Sequence, residues 1–169
     1  MLCSSQTFPV QLQIVLQFGS EADVDNSPLL IRPHLQIAAI CEKHLLEADG
    51  GLSLIRIVDR FTVVGVDETI PTTFLEFTLA VCFKAGSFRG PAQISFQPIS
   101  PSMIEMPTIV TPVNFEGDDE RGINLIGRVK LEIAEHGLYW IVVKLEREEY
   151  TRIPFRVVYQ RRPTIQSGS

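Results

Sequence analysis

The sequence predicts an all-β protein, an antiparallel sandwich or barrel. Two observations carry this. Apolar residues recur at every second position in four long runs, as a half-buried strand requires, because successive side chains point to opposite faces. Clusters of Gly, Asp and Pro separate the runs at the spacing of short strands joined by turns.

The elements follow in chain order. "VQLQIVLQF" places Val10, Leu12, Ile14, Leu16 and Phe18 on one face, with Gln11, Gln13 and Gln17 on the other. The polar "SEADVDNSP" then reads as a linker. "LQIAAICEKHLLEAD" has near-helical spacing at Leu35, Ala38, Ala39, Leu45 and Leu46, yet also reads as a strand. The strand is preferred, because it pairs with "LSLIRIVD" across an Asp-Gly-Gly turn. In that second run Leu52, Leu54 and Val58 face one way, and Ser53, Ile55 and Ile57 the other. Two apolar faces suggest a strand inside the sandwich, with Arg56 on a largely apolar face, either snorkelling or paired to Asp59 or an acidic neighbour.

"FLEFTLAVCF" aligns Leu75, Phe77, Leu79, Val81 and Phe83. Prolines in "PISPSMIEMPTIVTP" break any helix and suit loops and edge strands. "INLIGRVKLEI" turns Ile123, Leu125, Val129, Leu131 and Ile133 inward, and Asn124, Arg128, Lys130 and Glu132 outward. "RIPFRVVY" aligns Ile153, Phe155, Val157 and Tyr159. Residues 1–28 are expected to be an N-terminal extension carrying one strand, residues 29–160 the sandwich, and residues 161–169 a flexible tail.

Composition excludes several functions. The chain has 169 residues, suiting one domain, and its 45% hydrophobic content suffices for a core. A net charge of −5, with eleven Arg and four Lys spread along the chain, argues against nucleic acid as a partner. Three cysteines, Cys3, Cys41 and Cys82, do not make a disulfide framework, and none form a Cys-x-x-Cys pair. No apolar run is long enough to span a membrane, and the N-terminus lacks a signal-peptide layout. The expectation is a cytoplasmic protein without membrane contact.

The acid–histidine group in "EKHLLEADGGLSLIRIVDR" invites a metal reading. One His with no partner His in reach, and no alternating oxygen ligands, leave no metal or cofactor expected. Nor does any Gly-x-Ser-x-Gly elbow or Cys–His arrangement point to catalysis, so no enzyme is expected. The binding candidates are therefore surface features. They are Asp49 in the Asp-Gly-Gly turn, Asp118, Asp119 and Glu120 in "EGDDERG", and the aromatic pair Tyr139 and Trp140.

Several motifs carry a resemblance. They are Asp49-Gly50-Gly51, Asp59-Arg60, Ile70-Pro71, Gly137-Leu138-Tyr139-Trp140 and Ile153-Pro154-Phe155-Arg156-Val157. In this order, over residues 33–159, the chain resembles an uncharacterised bacterial family, one of the numbered domains of unknown function. The resemblance implies an immunoglobulin-like β-sandwich, here of about seven or eight strands, and brings no functional residues. The leading expectation is a non-enzymatic module that binds another protein, or itself, through loops or a sheet edge. A homodimer through the N-terminal strand is one form of it. The alternative is a small-ligand or metal-binding sensor using the acidic loops "EADGG", "EGDDERG" and "EHG".

Overall fold

The computed structural model describes residues 32–119 and 121–162, and the backbone of residues 12–15. The expected linker, the outer parts of the first alternating run, residues 1–9 and residues 163–169 lie outside these. Among the described residues there are ten strands and no helix, so no helix is long and apolar enough to cross a membrane. In order they are β1 (Leu12–Val15), β2 (His34–Leu46), β3 (Leu52–Ile57), β4 (Arg60–Gly65) and β5 (Thr73–Lys84). Then come β6 (Gly90–Ile99), β7 (Ile109–Phe115), β8 (Gly122–Ile133), β9 (Gly137–Leu145) and β10 (Glu148–Arg161).

Ten strands exceed the expected seven or eight. The difference lies in "RFTVVG" and "IVTPVNF". After β3 the chain spends only Val58 and Asp59 before β4 joins a different sheet, so one apolar run becomes two strands. β7 keeps its ladder with Pro112 because it sits at an edge, where a missing donor costs little. The ambiguous "LQIAAICEKHLLEAD" is a strand through Leu46, not a helix. Arg161 closes β10, inside what was expected to be tail.

The strands form two five-stranded sheets. The first runs β1-β8-β5-β2-β3 and the second β4-β10-β9-β6-β7. All described pairings are antiparallel except β4 with β10, which is parallel from Arg60↔Arg156 to Gly65↔Arg161. The expected N-terminal strand is present as β1. It pairs with β8 of its own chain, Leu12↔Gly127 to Val15↔Asn124, and so extends the first sheet.

The period-two pattern sets the core. Leu75, Phe77, Leu79, Val81 and Phe83 of β5 stand opposite Leu131, Val129, Gly127, Leu125 and Ile123 of β8. The second sheet answers with Tyr139, Ile141, Val143 and Leu145 of β9 and Ile153, Phe155 and Val157 of β10. Phe155 lies 5.7 Å from the Phe61 ring, 5.8 Å from Phe77 and 5.3 Å from Tyr139, centre to centre. Phe77 belongs to the first sheet and the other rings to the second. Burying rings of ~150–250 Å² each makes this contact the main link between the layers.

Gly122 is the tightest backbone contact in the first sheet. A Cβ there would sit 1.9 Å from the Phe83 carbonyl oxygen and 2.9 Å from its carbon. Only a residue without Cβ lets β8 start beside the end of β5. Gly122→Ala is expected to lower stability by about 2 kcal/mol, or about 4–8 °C in melting temperature. Circular dichroism melts of the two proteins check this.

Candidate interaction surfaces

The strand directions define two ends. Residues 85–89, 116–119, 121 and 146–147 lie at one end, and residues 47–51, 100–108 and 134–136 at the other. The acidic loops are thereby separated. "EADGG" and the "EHG" corner share an end, while "EGDDERG" lies at the opposite one, about 35 Å away at ~3.3 Å per residue along β8. The three loops do not converge on one site, which corrects the sensor arrangement drawn from sequence. Among the described residues, no three His, Cys, Asp or Glu gather as a metal would require.

Two of the acidic candidates hold loops in place through their carboxylates, Asp49 within its own turn and Asp119 between two loops. The Asp49 carboxylate accepts the Gly51 backbone N–H at 2.9 Å, and Gly50 takes a positive φ of 86°. This is a side chain closing its own turn. The Asp118 carbonyl accepts the Arg121 N–H at 3.0 Å. The Asp119 carboxylate meets Arg89 at 2.9 Å, and the same guanidinium donates to the Gly86 and Phe88 carbonyls. Asp119 thus ties the β7–β8 loop to the β5–β6 loop. Glu120 lies outside the described residues.

The aromatic pair divides between two faces. Tyr139 is 1% exposed, and its hydroxyl donates to the Glu135 carbonyl at 2.9 Å across the β8–β9 corner. Burial pushes its phenol pKa up. Its ring stacks on Phe155 and offers nothing to a ligand, which corrects its place among the binding candidates. Trp140, one residue on, is half-buried on the outward face of the second sheet. It stands between Ile99 of β6 and Pro154 of β10.

The largest departure from a polar exterior is on the first sheet. The registers place Ile37, Ala39, Cys41 and Leu45 of β2 on its outward face, broken by the exposed Lys43 opposite Ile55, with Ile55 and Ile57 of β3, Ala80 and Cys82 of β5, and Ile126 of β8. Outward faces of antiparallel sheets are ordinarily polar. Ala80, Cys41, Cys82 and Ile126 are buried, while Leu45, Ile55 and Ile57 are 52%, 40% and 68% exposed. Sequence reasoning saw the two apolar faces of β3 and inferred an interior strand. β3 is instead an edge strand, and its second apolar face meets solvent.

Arg56 interrupts that edge. It is a non-glycine residue at a φ of 55°, and its guanidinium pairs with Glu42 of β2 at 2.9 Å. The partner is an acid on the neighbouring strand rather than Asp59. An irregular residue with a charged side chain discourages another strand from adding along β3. The open feature of this hairpin is therefore its apolar side more than its backbone edge.

No family model matches the chain, and no curated protein matches it. Among solved structures it is similar to the Pseudomonas fluorescens alkylpurine DNA glycosylase AlkC bound to DNA containing an abasic site analog. The TM-score is 0.43 and the identity 8%, over 75% of this chain and 30% of that one. A likeness of that degree says nothing about activity.

Two outcomes follow from this geometry. Burial pushes the Cys82 thiol from an ordinary value of 9.0 to about 11. In the native protein Cys82 should resist iodoacetamide at mildly alkaline pH and react once urea unfolds the chain, as peptide mass mapping reads directly. The unfolded thiol ionises first as pH rises, so this group's contribution to stability is complete below the unfolded value and is lost towards the folded one. Tyr139→Phe should cost about 1 kcal/mol, the worth of the bond to Glu135, in urea titrations.

Proposed function

We propose that the chain is a non-enzymatic protein-interaction module built on an immunoglobulin-like sandwich. Support for that topology comes from the parallel pairing of β4 with the last strand and from Tyr139. A tyrosine near the start of a strand, bonding back to the carbonyl four residues upstream at an inter-sheet corner, is characteristic of such sandwiches. The resemblance to a bacterial domain of unknown function fits the same reading, as does a cytoplasmic setting with two buried free thiols.

The observation that carries the interaction reading is the exposed apolar side of the β2–β3 hairpin. Leu45, Ile55 and Ile57 project from a two-stranded arm whose β2 stops pairing with β5 at Cys41. Such side chains gain ~25 cal/mol per Å² when a partner covers them. The partner is another protein or a second copy. A second copy has two routes, packing of this apolar side against its equal, or exchange of β1 between chains, which would keep the β1–β8 pairing already present.

Light scattering after size exclusion, on the full chain and on Ile57→Asp, separates these. Ile57 is exposed, so its replacement should leave the fold intact, as most surface substitutions do. The expected result is a dimer for the parent and a monomer for Ile57→Asp. A dimer that survives the substitution points to strand exchange. A parent that is monomeric at every concentration removes the second copy from this reading.

A further inference from the structure

The second sheet carries a different surface, independent of the hairpin. Arg60 of β4 and Arg156 of β10 are partners in the parallel ladder and both are exposed. Their backbones are about 4.8 Å apart and their side chains leave the same outward face. Leu138 of β9 stands opposite Arg156, so one row across the sheet reads Leu138, Arg156, Arg60 and then the open edge of β4. Among the described residues neither arginine is in an ion pair. Like charges in adjacent positions repel, and this pair sits on a chain of net charge −5.

The edge itself is suited to accept a strand. β4 has no proline and no residue of positive φ, unlike β7 with Pro112 and β3 with Arg56. Its outward residues Arg60, Thr62 and Val64 are exposed, and Phe61 and Val63 anchor it against the core. Among the described residues no strand pairs with its far side. An added strand would satisfy those free N–H and C=O groups and set alternate side chains in line with the arginine row.

We propose that the β4 edge, with Arg60 and Arg156, binds an extended acidic segment of a partner protein by strand addition. Main-chain hydrogen bonds along β4 hold the segment. A Glu or Asp at the position beside Arg60 offsets part of the charge of the arginine pair through charge-assisted hydrogen bonds. Apolar residues at the intervening positions lie against the side of Phe61 and Val63. Negative charge is what this row lacks, which sets the sign of the partner.

The test uses the full chain and a short fluorescein-labelled peptide of alternating Glu and Val. Its Lys–Val counterpart, a Glu–Pro counterpart and a short single-stranded oligothymidylate are the comparisons. Binding is read by anisotropy and by the fluorescence of Trp140, the single tryptophan, which flanks Pro154 on the same face. The Glu–Val peptide should bind. The Lys–Val peptide, of the wrong charge, and the Glu–Pro peptide, which loses the N–H of every second residue and is held away from a regular β-strand, should not. Affinity should fall at least about tenfold as salt rises from about 0.1 to about 1 M, where the screening length shrinks from about 10 to about 3 Å.

The double variant Arg60→Glu, Arg156→Glu should lose the Glu–Val peptide and gain the Lys–Val one. Arg60→Thr should weaken binding with an unchanged or raised melting temperature, because it relieves repulsion; a stabilising arginine would show the reverse. Ile57→Asp should bind the peptide like the parent, which keeps this result separate from the fate of the hairpin. Equal binding of both peptide signs, indifference to charge reversal, or preference for the oligothymidylate over the Glu–Val peptide would overturn the proposal.

Discussion

The fold depends on one contact, the meeting of Phe155 with Phe61, Phe77 and Tyr139. These rings come from four strands and both sheets. For them to meet, β5, β9 and β10 must each keep strict parity, with every second residue apolar and inward. A slip of one residue in any strand would turn its whole apolar set to water. Tyr139 adds a directional element, since its ring joins the stack while its hydroxyl fixes the corner that carries the chain between sheets. The same parity decides what remains outside and is therefore available for contact.

What remains outside is uneven. The outward face of the second sheet mixes Trp140, Val142 and Pro154 with Arg152, Arg156 and Lys144. That of the first sheet is apolar through its middle and becomes exposed towards the β2–β3 hairpin. In the loops, where the acids gather, several carboxylates are already engaged. Asp49 closes its own turn, Asp119 clasps Arg89, and the Glu135 carboxylate is held low by hydrogen bonds from Ser102 and Ser100. The surface offers contact through its sheets, and the loops mostly stabilise themselves.

Much of the architecture was legible in the sequence, because alternation is a direct imprint of the pleat. Every inward residue assigned to "FLEFTLAVCF" and "RIPFRVVY" faces the core, and the Asp-Gly-Gly turn joins the two strands expected of it. Strand order was not legible, since nothing local records which sheet β4 joins after Val58 and Asp59. For the same reason β3 was read as interior, because two apolar faces look alike whether they are covered or left open. The site was less legible still. The acidic residues drew notice by composition, yet their partners lie 30 residues away or within their own turn. The Arg60–Arg156 pair becomes visible only when residues 96 positions apart are laid side by side.

The kink at Arg56 has a consequence beyond the hairpin. A regular edge strand bearing Ile55 and Ile57 would be a template for endless end-to-end growth, each added chain presenting the same edge to the next. The left-handed residue, pinned by Glu42, breaks that repeat between Ile55 and Ile57. The apolar side of the arm stays usable for a closed pairing, while the open-ended stacking that leads to fibrils is denied a flat ladder on which to propagate.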